Sequence, residues 1–244
     1  MMKNPLFATV KDNERVYDNS NCATYKGITL KTVYFLVVAL IGAVLAVALL
    51  FEGEIETVFT IMGVSGFVGL IALLIGRTNP NAAKVCGTIY SLSEGFFLGA
   101  ISCIGEVLGY EGSTLIAVAA TFTVFATMLG IFASGIIRNK SNIYKVTMSI
   151  GLCTLCVLLM TLILSLCGFY FDNIGLVIGI ELLVLVYGCC MLLVSFSDAT
   201  TLVQEGFGKE YEWQCAFGLS FALLYIYLEI LRLVWILYSL FNRD

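Results

Sequence analysis

Asp198, Glu229 and Arg232 are the residues whose types and spacing can do chemistry in this 244-residue chain. Asp198 stands toward the end of one apolar run and Glu229 inside the next, so each is an acid set in hydrocarbon-like surroundings. An ionised carboxylate near the middle of a bilayer costs about 2.5–3.5 kcal/mol on insertion scales, so it demands a proton or a partner. Two such groups facing each other share protons, because the first ionisation makes the second harder. Half-protonated, the pair is a short hydrogen bond clamping two helices. With both acids ionised it repels itself or holds a hard cation such as Ca²⁺ through its oxygens, which makes Asp198 and Glu229 the candidate metal ligands. The chemistry is that of a latch released by deprotonation. Arg232 follows Glu229 one helical turn later on nearly the same face, where it is expected to ion-pair with Glu229 or a facing acid.

Two further acids lie inside apolar runs: Glu94, in Ser91-Leu92-Ser93-Glu94-Gly95, and Glu181, in Gly179-Ile180-Glu181-Leu182. If Arg232 neutralises Glu229, the other three must be protonated, wet, or paired with cations from loop ends such as Arg77. The bland reading of Glu94 and Glu181 is a protonated, hydrogen-bonded side chain with a structural role. The functional one is a place along an ion path.

Composition removes most other chemistry. The chain is 60% hydrophobic and only 12% charged, against about 25% charged for a soluble domain, which places it among polytopic membrane proteins. It has no histidine, so Ser-His and Cys-His catalysis, His-built zinc sites and imidazole relays are all excluded. Carboxylates are left as the groups to titrate near neutral pH. Of the nine cysteines, all but Cys22 lie in or beside apolar runs, including Cys153-x-x-Cys156 and Cys189-Cys190. They read as small apolar packing residues rather than as a redox or metal motif. Lys and Arg are spread along the chain with no basic stripe, so nucleic acid is not expected as a partner. No enzymatic activity and no cofactor beyond transient Ca²⁺ are expected.

These side chains need helices to hold them. Residues 1–28 are polar and read as a cytoplasmic tail, followed by one transmembrane domain over 29–244. Apolar runs at 29–51, 56–76, 85–108, 114–137, 143–168, 174–198 and 213–240 each approach or exceed the approximately 20 residues needed to cross the hydrocarbon core. The fold class is therefore all-α, with seven spans. Eleven of the thirteen positive residues lie before or in the first turn of span one, or between or at the facing ends of spans two and three, four and five, or six and seven. The opposite loops carry Glu52, Glu54, Glu56, Glu111 and Asp172 with no Lys or Arg. By the positive-inside rule the N-terminus is cytoplasmic and the C-terminus outside.

Small-residue faces at Gly95-x-x-x-Gly99, Gly175-x-x-x-Gly179 and Gly63, Gly66 and Gly69 predict close helix packing. Counted from a turn near residue 210, Asp198 lies about 12 residues back and Glu229 about 19 forward, a level mismatch of roughly 10 Å. A long connection or a late-starting seventh helix is expected to absorb it.

Several segments carry a resemblance. Ala216-Phe217-Gly218-Leu219, Leu224-Tyr225-Ile226-Tyr227-Leu228-Glu229-Ile230-Leu231-Arg232-Leu233, Asn79-Pro80-Asn81-Ala82-Ala83, the stretch from Tyr90 through Glu94-Gly95 to Ser102, and Ala23 to Thr32 resemble the bacterial branch of the Bax inhibitor family of membrane proteins. The similarity covers nearly the whole chain from residue 22.

The resemblance implies six helices around a central seventh, a bacterial plasma membrane, and a pH-sensitive calcium leak. In it, one acid on helix six and one on helix seven close the path by sharing a proton, and a helix-two arginine bonds the helix-six acid. Residue by residue, Asp198 matches the helix-six acid, Glu229 the helix-seven acid and Arg77 the arginine. The chain departs from the best-understood relatives in having Glu rather than Asp on helix seven, Thr200 and Thr201 where many relatives have an acid and an aromatic, and a longer sequence between the two acids.

Other classes remain open on the sequence. The bundle could bind a partner protein, such as a membrane protease or a cell-death factor, without conducting anything. A proton-coupled transporter would use the same carboxylates. An intramembrane aspartyl protease needs two catalytic aspartates, one typically in Gly-x-Gly-Asp, and that motif does not occur.

Overall fold

The computed structural model describes residues 22–133, 140–166 and 174–241. Its elements are α1 (Tyr25–Phe51), α2 (Ile55–Thr78), α3 (Ala83–Val107), α4 (Ser113–Ala133), α5 (Lys140–Leu166), α6 (Ile174–Gln204) and α7 (Glu210–Phe241). All seven helices are long and apolar enough to cross a membrane. Among the described residues the only extended pairing is an isolated bridge between Cys22 and Gly208. The apolar runs thus mark the helices, and the helices outrun them where polar residues can still be served. α1 begins four residues before its run because Thr24 caps it, its side chain accepting from the Gly27 N–H. α6 continues six residues past Asp198 to Gln204. The parts of the predicted spans at 134–137 and 167–168 lie outside the described residues.

The described residues fall into two compact units. The first holds α1, α2, α3, the end of α6 from Ser195 and the start of α7 to Leu224. Here α3 packs on α1 through missing side chains: a Cβ on Gly95 would run into the Ala39 backbone, one on Gly99 into Ala43, and one on Gly42 into Leu92. The sequence pattern of glycines four apart thus becomes a backbone-to-backbone approach. The expected ridge on α2 is narrower than its glycines suggested. Gly69 packs against Ser93 of α3, while Gly63 and Gly66, like Gly179 on α6, meet open space.

The core of the first unit joins Phe35, Ala72 and Tyr90 to Ala199, Leu202, Phe207, Tyr211, Cys215, Ala216 and Phe217. Four consecutive buried residues, Gln214 to Phe217, leave α7 no exposed face over that turn. Phe35 and Tyr90 both set their rings against Phe217, with centroids 5.9 and 5.4 Å away.

The second unit holds α4, α5, α6 up to Val194 and α7 from Tyr225. Its helices expose large apolar side chains such as Leu115, Phe122, Leu152 and Met160. A surface of that kind needs lipid, and the chain is an integral membrane protein. Inside this unit a Cβ on Gly188 of α6 would touch Tyr225 and Ile226 of α7, and one on Gly151 of α5 would touch the Tyr187 ring.

The α6–α7 connection is short. It spans residues 205–209 and turns at Gly206, whose φ of 69° lies in the left-handed region that favours glycine. Neither the long loop nor the late-starting seventh helix expected from the sequence is present, because α7 begins at Glu210, ahead of its apolar run.

Candidate functional site

The six charged residues singled out in the sequence sort into two groups of three. Arg77, Glu94 and Asp198 lie in the first unit, and Glu181, Glu229 and Arg232 lie in the second.

In the first unit Asp198 is 3% exposed, on the α6 segment whose Ala199 and Leu202 enter the aromatic core. The buried thiol of Cys215, on α7, is within its electrostatic reach. Arg77 sits in the last turn of α2, where a cation complements the partial negative charge of a helix C-terminus. Its guanidinium lies over the Phe221 ring of α7, 5.4 Å from the centroid. Glu94, half-buried, follows Tyr90 by one turn of α3, and the Tyr90 hydroxyl feels both Glu94 and Arg77.

In the second unit α6 and α7 run side by side so that Glu181 and Arg232 meet. Arg232 Nε is 3.5 Å from Glu181 Oε1, and Arg232 Nη1 is 3.4 Å from Glu229 Oε2, one turn back on α7. Glu181 is 9% exposed and Glu229 4%, while the arginine side chain is half-exposed. One guanidinium therefore serves two buried acids from two helices. Tyr225, edge to face with Tyr187 at 6.2 Å, lies within the electrostatic field of all three.

Two polar residues that the sequence did not single out are more tightly held than most that it did. Glu212, in the first turn of α7, is 3% exposed and accepts from Lys31 Nζ at 2.6 Å, Thr24 N at 2.7 Å and Thr24 Oγ1 at 3.2 Å. Gln214, also buried, donates from Nε2 to the Arg77 carbonyl at 2.6 Å, satisfying one of the backbone acceptors that a helix end leaves unpaired. Neither stands out in the sequence, because a polar residue at the start of a span ordinarily reads as a solvated helix end.

Among the described residues no group of three or more Cys, Asp or Glu is arranged to hold a metal ion, and none of the eight described cysteines is in a disulfide.

No curated protein and no solved structure matches the chain at a significant level. A family model described as Bax inhibitor 1 like matches residues 4–239, nearly the whole chain, and with seven membrane-spanning helices that carry buried acids the protein belongs to that family.

Proposed function

We propose that this protein is a pH-sensitive leak path for small cations, Ca²⁺ foremost, in a bacterial plasma membrane, with its N-terminus on the cytoplasmic side and its C-terminus outside. The buried carboxylates of Asp198 and Glu229 are its titrating groups. The supporting observation is their burial: each sits almost wholly out of solvent on a helix apolar enough to span a bilayer, at 3% and 4% exposure. Such a group is costly to keep charged and costly to keep without a partner, so it is retained where its proton or its charge is used. A shared proton holds the neighbouring helices together, and its loss leaves like charges that push apart and offer oxygens to a passing cation.

The test is reconstitution into liposomes loaded with a calcium-sensitive dye, with flux followed from acid to alkaline pH. Flux that varies with pH, and whose profile changes in Asp198→Asn and in Glu229→Gln, supports the reading. If the parent and both variants show one profile, the gating assignment fails. Absence of flux at any pH favours a protein that acts by binding a partner.

A further inference from the structure

We infer that Glu181 of α6 is the group with which Glu229 shares its proton, and that Arg232 of α7 is the fixed cation of the same site. This rests on the proposed gating for one of its readouts and assigns a residue that the family resemblance does not supply.

Three observations meet at this point. Arg232 bridges the two acids at 3.5 and 3.4 Å through different nitrogens. The two carboxyls are gathered at one guanidinium from facing helices, and two carboxylate oxygens brought together need a proton between them, since neither has a donor. Glu181 Oε2 is buried and, among the described residues, accepts from no donor group, so a proton carried by a neighbouring carboxyl can satisfy it.

Helix register fixes the pairing. Gly188 meets Tyr225 and Ile226, and seven residues earlier on α6 Glu181 meets Arg232, seven residues later on α7. Two turns therefore separate the contacts on both helices, and Glu181 is the acid that α6 presents at the level of Glu229 and Arg232.

Charge counting then selects the proton number. With no proton the trio carries one net negative charge, with one proton it is neutral, and with two it is positive. In surroundings that penalise net charge, the one-proton state is the one that both helices can bury, and it is the clamped state. Among the described residues the titratable and charged groups that face Glu229 include Glu181 of α6 and Tyr225 and Arg232 of its own helix, with Tyr187 of α6 behind the Tyr225 ring. α5 contributes Gly151 beneath Tyr187. The proton of the clamped state is carried by the two acids.

The experiment uses the full chain in liposomes with two readouts: calcium flux against pH, and infrared difference spectra between acid and alkaline pH, which report a carboxyl proton directly. Glu181→Gln and Glu229→Gln are near-isosteric. Each is expected to abolish the same titrating carboxyl band and to displace the flux midpoint, and the double variant is expected to match the singles, as members of one site do. Arg232→Gln leaves the acids without their cation, so flux is expected to need a pH about one unit higher, with Arg232→Lys largely restoring the parent midpoint.

The inference is overturned if Glu181→Gln keeps the parent band and midpoint, or if Asp198→Asn, rather than Glu181→Gln, is the change that fails to add to Glu229→Gln. A parent without flux defeats the proposed function alone, since the infrared band still decides whether Glu181 and Glu229 share a proton.

Discussion

Lys31 Nζ stands 2.6 Å from Glu212 Oε2, joining the second turn of α1 to the first turn of α7 across 181 residues of sequence. The carboxylate also takes the Thr24 N–H and hydroxyl, so it lies at the N-terminus of α1, where the helix dipole favours negative charge. The approach is close enough that a Cβ on Gly27 would strike the Glu212 carboxylate. A backbone bond from Ala23 N to Phe207 O at 2.7 Å ties the same entry to the α6–α7 connection.

Removing one member of this pair strands the other. Lys31→Met is expected to destabilise the protein by about 3 kcal/mol, the scale for breaking a buried ion pair from one side. Glu212→Gln is expected to cost less, because the amide oxygen still accepts from Thr24. In the double variant Lys31→Met/Glu212→Gln the loss should be smaller than the sum of the singles. Thermal unfolding in detergent, run as a double-mutant cycle, measures the coupling, and strictly additive losses would show that the pair is not a unit.

The α1–α3 contact predicts a contrast between glycines that composition treats alike. Gly95→Ala places a methyl group against the Ala39 backbone and is expected to cost about 1–3 kcal/mol, the range for overpacking a site that cannot yield. Gly63→Ala meets nothing within 4 Å and is expected to leave stability unchanged or raise it by a few tenths of a kcal/mol through better helix propensity. Melting temperatures of the two variants should separate clearly. Equal losses would mean that the close approach of α3 to α1 is not what Gly95 provides.

Gln214 makes a narrower prediction. Its Nε2 is the donor that closes the end of α2 at the Arg77 carbonyl, and its own Oε1 is buried with no hydrogen-bond partner among the described residues. Gln214→Leu is expected to cost about 1–3 kcal/mol by leaving a buried carbonyl unpaired, the penalty offset in part by relief of the unsatisfied oxygen. Because α2 carries Arg77 at that end, hydrogen exchange should rise in the last turn of α2 before it rises elsewhere. Unchanged protection there would assign the hydrogen bond no holding role.

How much of this was legible in the sequence depends on how local each signal was. The seven helices were, since a bilayer demands about 20 apolar residues per crossing and composition records them. Arg232 beside Glu229 was also legible, because one turn of helix sets the spacing. The meeting of Glu181 with Arg232 was not, since it depends on how α6 slides against α7. That register is fixed by the close approach of Tyr225 to Gly188, which has no side chain, and a count from an assumed turn near residue 210 could not supply it when the turn lies at 205–209. Glu212 was missed for the complementary reason. Its burial depends on Thr24 and Lys31 at the other end of the chain, and in sequence it is one of several charges flanking a span.

The last prediction separates packing from charge at the second unit's acid pair. Gly151 of α5 lies beneath the Tyr187 ring, 2.6 Å from where a Cβ would stand, and Tyr187 in turn sets its edge against Tyr225, four residues before Glu229. Gly151→Ala therefore forces the Tyr187 ring to tilt and moves Tyr225 with it, while adding and removing no charge. If the proton shared by Glu181 and Glu229 is held by the geometry of these helices, the flux midpoint should move by a fraction of a pH unit, with stability falling by about 1 kcal/mol. A flux profile unchanged by Gly151→Ala, alongside a clear loss of stability, would show that the aromatic pair supports the fold without tuning the acids. In that case the midpoint would be set by Arg232 and the two carboxyls alone.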